Sequence, residues 1–328
     1  MKYLKLGKTD IKVSAVAFGA WAIGGWLWGG TDEKESMRAI DEAISQGINF
    51  IDTAPAYGKG YSEEIVGKSI KGKRDKLVIA TKCGLVWHTD KGTHFLDYET
   101  GEKVYRYLGP ESVKYEVEQS LKRLGTDYID LYQTHWQDHT TPIEDTMEAL
   151  LDLKKQGKIR AIGACNATLD QIEEYNRAGQ LDVDQEKYSL LDTEIEYDLL
   201  PWCKDNSVTL LAYGPMAKGL LTGKIGADRK FKGDDVRKTD PRFLKENREK
   251  INKMIDNVFR PMADSYGITV AQLSVASLIN QGGVGALCGT RNVFQARENA
   301  QAGNIEIASA DIEKLKEAVQ KLKLSNLE

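Results

Sequence analysis

The chain has 328 residues, of which 41% are hydrophobic and 29% charged, and its formal net charge is −4. This composition supports a large buried core, and a chain of this length can form one α/β barrel. The small negative charge argues against nucleic acid or an anionic membrane as a partner.

The cysteines and the first residues bear on metal content and cellular compartment. Cys83, Cys165, Cys203 and Cys288 form no CxxC pair, so we expect four reduced thiols and no metal site. Residues 1–7 lack the apolar core of a signal peptide, and no run of 18 apolar residues occurs. We therefore expect a cytoplasmic protein without a membrane span.

Strand-like and helical patterns alternate along most of the chain. A hairpin is predicted from residues 3–6 and 12–14, and the first barrel strand from residues 16–19. Further strands, most of them followed by a helical pattern, are predicted at residues 48–51, 77–82, 128–132, 159–164, 184–186, 209–212 and 284–287. A last helix is predicted at residues 310–322.

About eight strand–helix units without an obvious reversal predict an α/β fold, a (β/α)8 TIM barrel, rather than a doubly wound sheet. No linker marks a boundary, so we expect a single domain over residues 1–328. Long irregular segments at residues 84–109 and 219–248 follow the third and seventh barrel strands. Loops of this length are often functional, and we expect the first to form a lid.

Four polar side chains follow successive predicted strands. Asp52 and Tyr57 come after one strand, Lys82 ends the next, and His135 follows the third. The carboxyl ends of barrel strands converge, so we expect these groups to meet. Tyr57 would then protonate an oxygen on carbon, with Lys82 lowering its pKa, Asp52 fixing Lys82, and His135 orienting the substrate.

Each of these residues also has an ordinary structural explanation. The carboxylate of Asp52 could cap a helix, and Tyr57 could be a core or rim residue. Lys82 could belong to a surface ion pair, and His135 could be a structural histidine. Their joint placement after consecutive strands favours the catalytic interpretation.

Several motifs resemble those of the aldo-keto reductase family. They are Asp-Thr-Ala-Pro-Ala-Tyr-Gly at residues 52–58, Thr-Lys at 81–82 and Asp-Leu-Tyr-Gln-Thr-His-Trp at 130–136. Similar runs at residues 19–21, 62–67, 157–163 and 219–224 extend the likeness over almost the whole chain. The nearest branch resembles bacterial general-stress and inositol-operon reductases related to potassium-channel β-subunits. In this family the residues matching Asp52, Tyr57, Lys82 and His135 form the catalytic tetrad.

The resemblance implies an NADP-dependent oxidoreductase that reduces aldehydes or ketones, with hydride from the nicotinamide and a proton from Tyr57. It implies that Asn166 and Gln185 hold the carboxamide and that Tyr213 stacks on the ring. The implied cofactor-binding residues are Gly19, Ala20, Trp21, Asp52, Cys165, Asn166, Gln185, Tyr213, Gly214, Pro215, Met216, Ala217, Lys218, Lys224, Gly289, Thr290, Arg291, Gln295, Glu298 and Asn299.

Two cations favour NADPH over NADH. Arg291 starts a predicted helix and is suited to bind a 2′-phosphate, with Lys224 as a second cation. The alternative for Arg291 is a solvated surface charge. No GxGxxG motif follows a strand, so the cofactor is implied by the family likeness alone.

Three positions depart from the family pattern. Cys165, Ala167 and Cys288 stand where Ser, Phe and Pro are usual, and the Cys165 thiol would hold the carboxamide more loosely. We favour inert buried thiols over oxidation-sensitive cofactor binding.

The candidate substrate-binding residues are aromatic or polar groups at the barrel mouth, namely Trp21, Tyr57, Trp87, His135 and Trp136, with Trp26 and Trp28 as further candidates. We expect a small-molecule carbonyl or polyol as the substrate and a monomer or weak homo-oligomer. One alternative function is oxidation of a sugar or polyol hydroxyl with NADP or NAD. The other is a cofactor-binding regulatory subunit with little turnover.

Overall fold

A computed structural model describes residues 1–98 and 101–325. Its strands are β1 (Tyr3–Lys5), β2 (Lys12–Ser14), β3 (Val16–Gly19), β4 (Phe50–Asp52), β5 (Val78–Cys83), β6 (Leu85–Val86), β7 (Thr93–Asp97), β8 (Lys103–Arg106), β9 (Ile129–Thr134), β10 (Ile159–Cys165), β11 (Val183–Lys187), β12 (Thr209–Tyr213) and β13 (Val284–Gly289).

The α-helices are α1 (Glu33–Ser45), α2 (Tyr61–Ile70), α3 (Pro110–Leu124), α4 (Ile143–Lys155), α5 (Leu169–Ala178), α6 (Leu199–Asn206), α7 (Lys245–Met254), α8 (Arg260–Ser265), α9 (Val270–Ile279), α10 (Val293–Ala302) and α11 (Ser309–Gln320). A π-helical turn at Ile255–Phe259 joins α7 to α8. None of the helices described is long and apolar enough to cross a membrane.

Eight parallel strands close into a barrel in the order β3, β4, β5, β9, β10, β11, β12 and β13, and β13 pairs with β3. The predicted (β/α)8 barrel is thus confirmed, with strand ends that differ from the prediction by up to two residues. Some differences arise where strands continue into polar residues, as β9 does to Thr134, whereas β4 begins two residues later than predicted, at Phe50. Hydrophobic periodicity does not extend to the polar residues, although backbone pairing does.

The antiparallel pair β1–β2 confirms the predicted N-terminal hairpin. Leu6, Ile11 and Val13 are buried in one cluster with interior residues of the barrel strands, such as Phe50 and Leu131. The hairpin and the turn inside it therefore close the barrel at the end opposite the carboxyl ends of the strands. The other end is left for the site.

Several helices of the outer layer begin at residues whose side chains cap the first turn. Helix α1 begins where the Asp32 side chain accepts a hydrogen bond of 3.0 Å from the Glu35 amide, and Asp32 is therefore the N-cap. Thr168 and Gln171 form a capping box that starts α5 directly after β10. This cap sets the short β10–α5 turn, which carries Asn166 into the mouth of the barrel.

The two long segments have local structure that the sequence did not reveal. Within residues 84–109, β6, β8 and β7 form a small antiparallel sheet. Leu85 and Val104 of this sheet, and Tyr98 directly after β7, pack with Ala56 and Trp136 beside the barrel mouth. The second segment contains short 3-10 turns, and the predicted C-terminal helix is α11. Few apolar residues mark the small sheet, which explains why it resembled an irregular loop.

Candidate active site

Four side chains from three consecutive strand ends meet at the barrel mouth. Lys82 Nζ donates hydrogen bonds to Asp52 Oδ1 at 2.7 Å, the Thr53 carbonyl at 3.0 Å and Tyr57 Oη at 3.3 Å. The ring of His135 stands edge-on to the Tyr57 ring, with 5.7 Å between centroids. The structure therefore brings together Asp52, Tyr57, Lys82 and His135, the four residues of the predicted tetrad.

The acid–base properties of Tyr57 differ from the expectation of a lowered pKa. Burial of the hydroxyl raises the pKa of Tyr57 to about 12, although the nearby Lys82 ammonium acts in the opposite direction. The lysine effect is thus present but smaller than the desolvation of the phenolate. Tyr57 is consequently a protonated hydroxyl at neutral pH, ready to donate a hydrogen bond.

The neighbours of Tyr57 have defined charges. Burial disfavours the Lys82 ammonium, but the Asp52 carboxylate and Tyr57 outweigh this and raise the pKa of Lys82. Burial, reinforced by the Lys82 charge, places the pKa of His135 well below its usual range. His135 is therefore neutral at physiological pH and can hydrogen-bond a substrate oxygen without carrying charge.

Two glutamines hold the far side of Asp52. Gln185 Nε2 donates to Asp52 Oδ2 at 3.0 Å, and Gln133 Nε2 approaches the same oxygen at 3.4 Å. Gln133 was not predicted, although it lies in the Asp-Leu-Tyr-Gln-Thr-His-Trp motif. Its inward position on β9 was the available signal.

Asn166 contacts the other two residues expected at the nicotinamide end, Gln185 and Tyr213. Asn166 adopts a left-handed φ of 54°, and its Nδ2 donates to the His135 carbonyl at 2.8 Å. The Tyr213 hydroxyl donates to Asn166 Oδ1 at 2.7 Å. The Cys165 thiol lies 3.6 Å from Gln185 Oε1 and accepts from Asn166 Nδ2 at 3.1 Å. Cys165 thus touches both amide side chains.

A cavity of about 810 Å³ opens above these groups. Every predicted cofactor-binding residue lines it except Thr290, which is buried beneath and bonds to Asn299. Lys82 lies behind Tyr57 and does not line the cavity. Trp21, Tyr57, His135 and Trp136, four of the predicted substrate-binding residues, line it together with Trp26 and Trp28. Trp87 does not, and its ring contacts Tyr98, which does.

The two cations expected to bind a 2′-phosphate both have protein partners. Arg291 donates to the carbonyls of Trp28 and Gly30, at 3.1 and 2.5 Å. Lys224 Nζ donates to both carboxylate oxygens of Glu298 at 2.8 Å. A bound phosphate would therefore have to share or replace these contacts.

Further charged residues that were not predicted line the same cavity. They are Glu35, Lys187, Asp192, Arg229, Arg237 and Arg242. Among them, Arg242 Nη1 bonds to both oxygens of Asp192, at 2.8 and 3.1 Å. All six lie outside the quoted motifs, so no local pattern marked them.

The cysteines near the cavity are buried thiols. Burial raises the pKa of Cys288 to about 12 and that of Cys165 well above its usual range. Both therefore stay protonated and poorly nucleophilic at neutral pH, which supports the inert-thiol interpretation. Within residues 1–98 and 101–325, no cluster of His, Cys, Asp and Glu is suited to a metal ion.

Comparison with known proteins agrees with this geometry. The sequence model described as "Aldo/keto reductase family" matches residues 15–320. The Aldo-keto reductase YhdN of Bacillus subtilis (strain 168) is 43% identical over 298 residues, covering 90% of this chain and 86% of that protein. The NADH-specific methylglyoxal reductase of Escherichia coli (strain K12) is 42% identical over 330 residues, covering 98% of this chain and 99% of that protein.

A solved structure shows the same architecture. The glycerol dehydrogenase AKR11B4 from Gluconobacter oxydans superposes with a TM-score of 0.88 at 37% identity, covering 97% of this chain and 95% of that one. Both the family match and the relatives cover most of the chain. The chain therefore belongs to the aldo/keto reductase family and is an oxidoreductase acting on carbonyl and alcohol groups.

Proposed function

We propose that this protein reduces an aldehyde or ketone to an alcohol with NADPH, and that Tyr57 delivers the proton. The observation that supports this most directly is the 3.3 Å contact between Lys82 Nζ and Tyr57 Oη at the cavity floor. It joins a neutral proton donor to a buried cation that stabilises the phenolate left after proton transfer.

The cavity has the features that a nicotinamide dinucleotide requires. Its volume of about 810 Å³ suits a large ligand. Gly214 and Gly289 line it at positions where a Cβ atom would meet no atom of the described residues within 4 Å, so the backbone is open to close approach. Asn166 and Gln185 would hold the carboxamide, and Arg291 and Lys224 the adenosine phosphate. When bound, the reduced nicotinamide supplies the hydride.

The chain's own residues perform the remaining steps. His135, neutral and buried, hydrogen-bonds the carbonyl oxygen and directs it toward Tyr57 Oη. Tyr57 donates its proton to that oxygen as negative charge develops there. The Lys82 ammonium stabilises the phenolate, and Asp52 keeps Lys82 charged and in place. Trp21 and Trp136 exclude water from the carbonyl.

The cofactor preference has a second candidate. Arg291 and Lys224 favour NADPH because each can bind a phosphate dianion. However, both already bond to protein groups, and the Escherichia coli relative is named as NADH-specific. NADH is therefore the alternative that a test must include.

The substrate class and the reaction direction are proposed with the help of the relatives. The relatives' names specify methylglyoxal and glycerol, so a small carbonyl or polyol is the substrate we propose. Oxidation of a polyol remains the alternative direction. The complete tetrad disfavours a regulatory subunit with little turnover. We also propose a single-domain cytoplasmic protein that is a monomer or weak homo-oligomer.

The decisive experiment measures NADPH and NADH consumption with methylglyoxal, glyceraldehyde, aromatic aldehydes and keto-sugars. Tyr57→Phe should lower kcat by roughly 10²- to 10⁴-fold while retaining cofactor binding, because only the proton donor is removed. Tyr197→Phe, at a tyrosine that is 85% exposed, is the matched control and should be unchanged. Tight cofactor binding without turnover in either direction would instead support the regulatory subunit.

A further inference from the structure

Two carboxyl groups lie where the barrel normally has apolar contacts. Asp184 and Glu186 alternate along β11 with Val183, which is part of the barrel interior, and Gln185. They therefore point outward, toward the surrounding helices. Their strand neighbours in register, including Ala164, belong to the apolar layer between barrel and helices.

These carboxyl groups are removed from solvent. Asp184 is 0% and Glu186 8% exposed. Among the residues that the structure describes, neither has an ion-pair partner. Within the same described ranges, Asp184 Oδ1 has no hydrogen-bond partner, and Asp184 Oδ2 lies 4.0 Å from the Cys203 thiol. Uncompensated buried carboxyl groups are costly, so a protonated Asp184 that donates to Glu186 resolves the conflict.

Glu186 has a specific backbone partner. Its Oε1 accepts a 2.7 Å hydrogen bond from the amide of Ala167, in the turn between β10 and α5. That turn contains Asn166 in its left-handed conformation. The backbone N–H of Asn166 donates a hydrogen bond to the backbone carbonyl of Gln185 at 3.2 Å. A left-handed non-glycine residue persists where its surroundings hold it, and here the carboxylate supplies part of that support.

We propose that Glu186, supported by Asp184, is a positioning residue that fixes Asn166 for its contact with the nicotinamide carboxamide. This inference rests on the proposed function. Glu186 touches no reacting atom and acts through the Ala167 amide. Its removal should therefore affect the nicotinamide half of the cofactor and leave the adenosine half unaffected.

Burial raises the pKa of Glu186 to about 7 and that of Asp184 well above its usual range. The titratable groups that interact electrostatically with the pair are Cys203 on α6 and, from the cavity side, Cys165 on β10 and Tyr213 on β12, all neutral at pH 7. The carboxylate of Glu186 is the better acceptor for the Ala167 amide. Cofactor affinity should therefore fall as the pH decreases through about 7.

The test measures the binding of two ligands, NADPH and 2′-phospho-ADP-ribose, to the variants Glu186→Leu and Glu186→Gln. Leucine removes the acceptor, whereas glutamine keeps an acceptor for Ala167 and gains a donor toward Asp184. We expect Glu186→Leu to weaken NADPH binding about tenfold and glutamine to restore it to within about twofold. Binding of 2′-phospho-ADP-ribose, which lacks the nicotinamide, should be unchanged in both variants and also shows that they are folded.

Two controls sharpen the result. Glu173→Leu, at an exposed position of α5, should bind both ligands as the wild type does. The affinity of Glu186→Gln for NADPH should lack the component of the pH dependence near 7 that comes from Glu186, because an amide does not titrate there. Because 2′-phospho-ADP-ribose carries the same 2′-phosphate, the pH dependence of its binding shows the contribution from titration of the phosphate itself.

The outcomes separate this inference from the function on which it rests. If the wild type binds and oxidises NADPH, but Glu186→Leu binds both ligands normally, the positioning role is wrong and the proposed function stands. Equal weakening of both ligands in Glu186→Leu would also overturn it, since that indicates a general structural role. A wild type that binds neither NADPH nor NADH would overturn both proposals. If NADH is the preferred cofactor, NADH and ADP-ribose replace the two ligands.

Discussion

Lys82 Nζ lies 2.7 Å from Asp52 Oδ1, and the two side chains are only 0% and 4% exposed. The pair lies directly behind Tyr57, so its charge acts on the hydroxyl through a medium nearly free of water. A buried ion pair contributes little net stability but is costly to break. We therefore expect its value to lie in the chemistry that it supports.

Removal of the lysine tests this directly. Lys82→Met should lower kcat by at least about 10²-fold, because the phenolate loses its stabilising cation. It should also destabilise the fold by about 3–5 kcal/mol, since Asp52 is left as an unpaired buried charge. The double variant Asp52→Asn with Lys82→Met should recover much of the stability but none of the activity. Thermal unfolding and steady-state kinetics measure the two effects, and an active double variant would contradict the role of Lys82.

The pH profile should show no histidine titration. The pKa of His135 is well below its usual range, and that of Tyr57 is raised to about 12. Both groups therefore keep one protonation state over about pH 6 to 9, and kcat/KM for the carbonyl should vary by less than about threefold. Saturating cofactor is required so that cofactor affinity does not enter. A fall with a midpoint near 6.5 would show that His135 ionises.

We expect Arg291 to decide between the two cofactors. Arg291→Gln should lower kcat/KM for NADPH by roughly 10- to 100-fold and leave NADH within about threefold, because only NADPH has a 2′-phosphate. The control is Arg297→Gln, an exposed arginine on helix α10, which begins two residues after Arg291. An equal loss with both cofactors would show that Arg291 serves mainly to hold the Trp28 and Gly30 carbonyls.

Glu116 should make the fold less stable at high pH. Its carboxylate accepts hydrogen bonds from the Gly84 amide and the Ser112 hydroxyl, but burial raises its pKa to about 8. The folded state therefore binds more protons than the unfolded state between the unfolded pKa near 4.5 and about 8. The resulting stabilisation is full below that interval and is lost as the pH rises through it.

Replacement with glutamine isolates this contribution. When the pH is raised from about 5.5 to 8.5, the Tm of Glu116→Gln should decrease by roughly 2–4 °C less than the Tm of the wild type. Glu118→Gln, an exposed carboxylate on the same helix, α3, should follow the wild type. Parallel curves for all three proteins would mean that Glu116 keeps an ordinary pKa in the folded state.

Local sequence predicted the parts of the site that depend on position along a strand. Asp52, Lys82 and His135 lie at or just after apolar runs, and parallel strands in a barrel bring such positions together without further information. The small sheet formed by β6, β7 and β8 was not predicted, since its pairing joins residues with weak apolar patterning. Gln133 was not predicted because the alternation along β9 indicates that it faces inward but does not reveal Asp52, on another strand, as its partner.

The sequence by itself determined the alternation of strands and helices, the barrel and the four residues at its mouth, because these follow from periodicity and from which residues end each strand. Only the tertiary structure decided the protonation of Tyr57, the partners of Arg291 and Lys224, and the Asp184–Glu186 pair behind Asn166. The reason is physical. Desolvation and hydrogen bonding depend on what surrounds a group in space, and those neighbours come from distant parts of the chain.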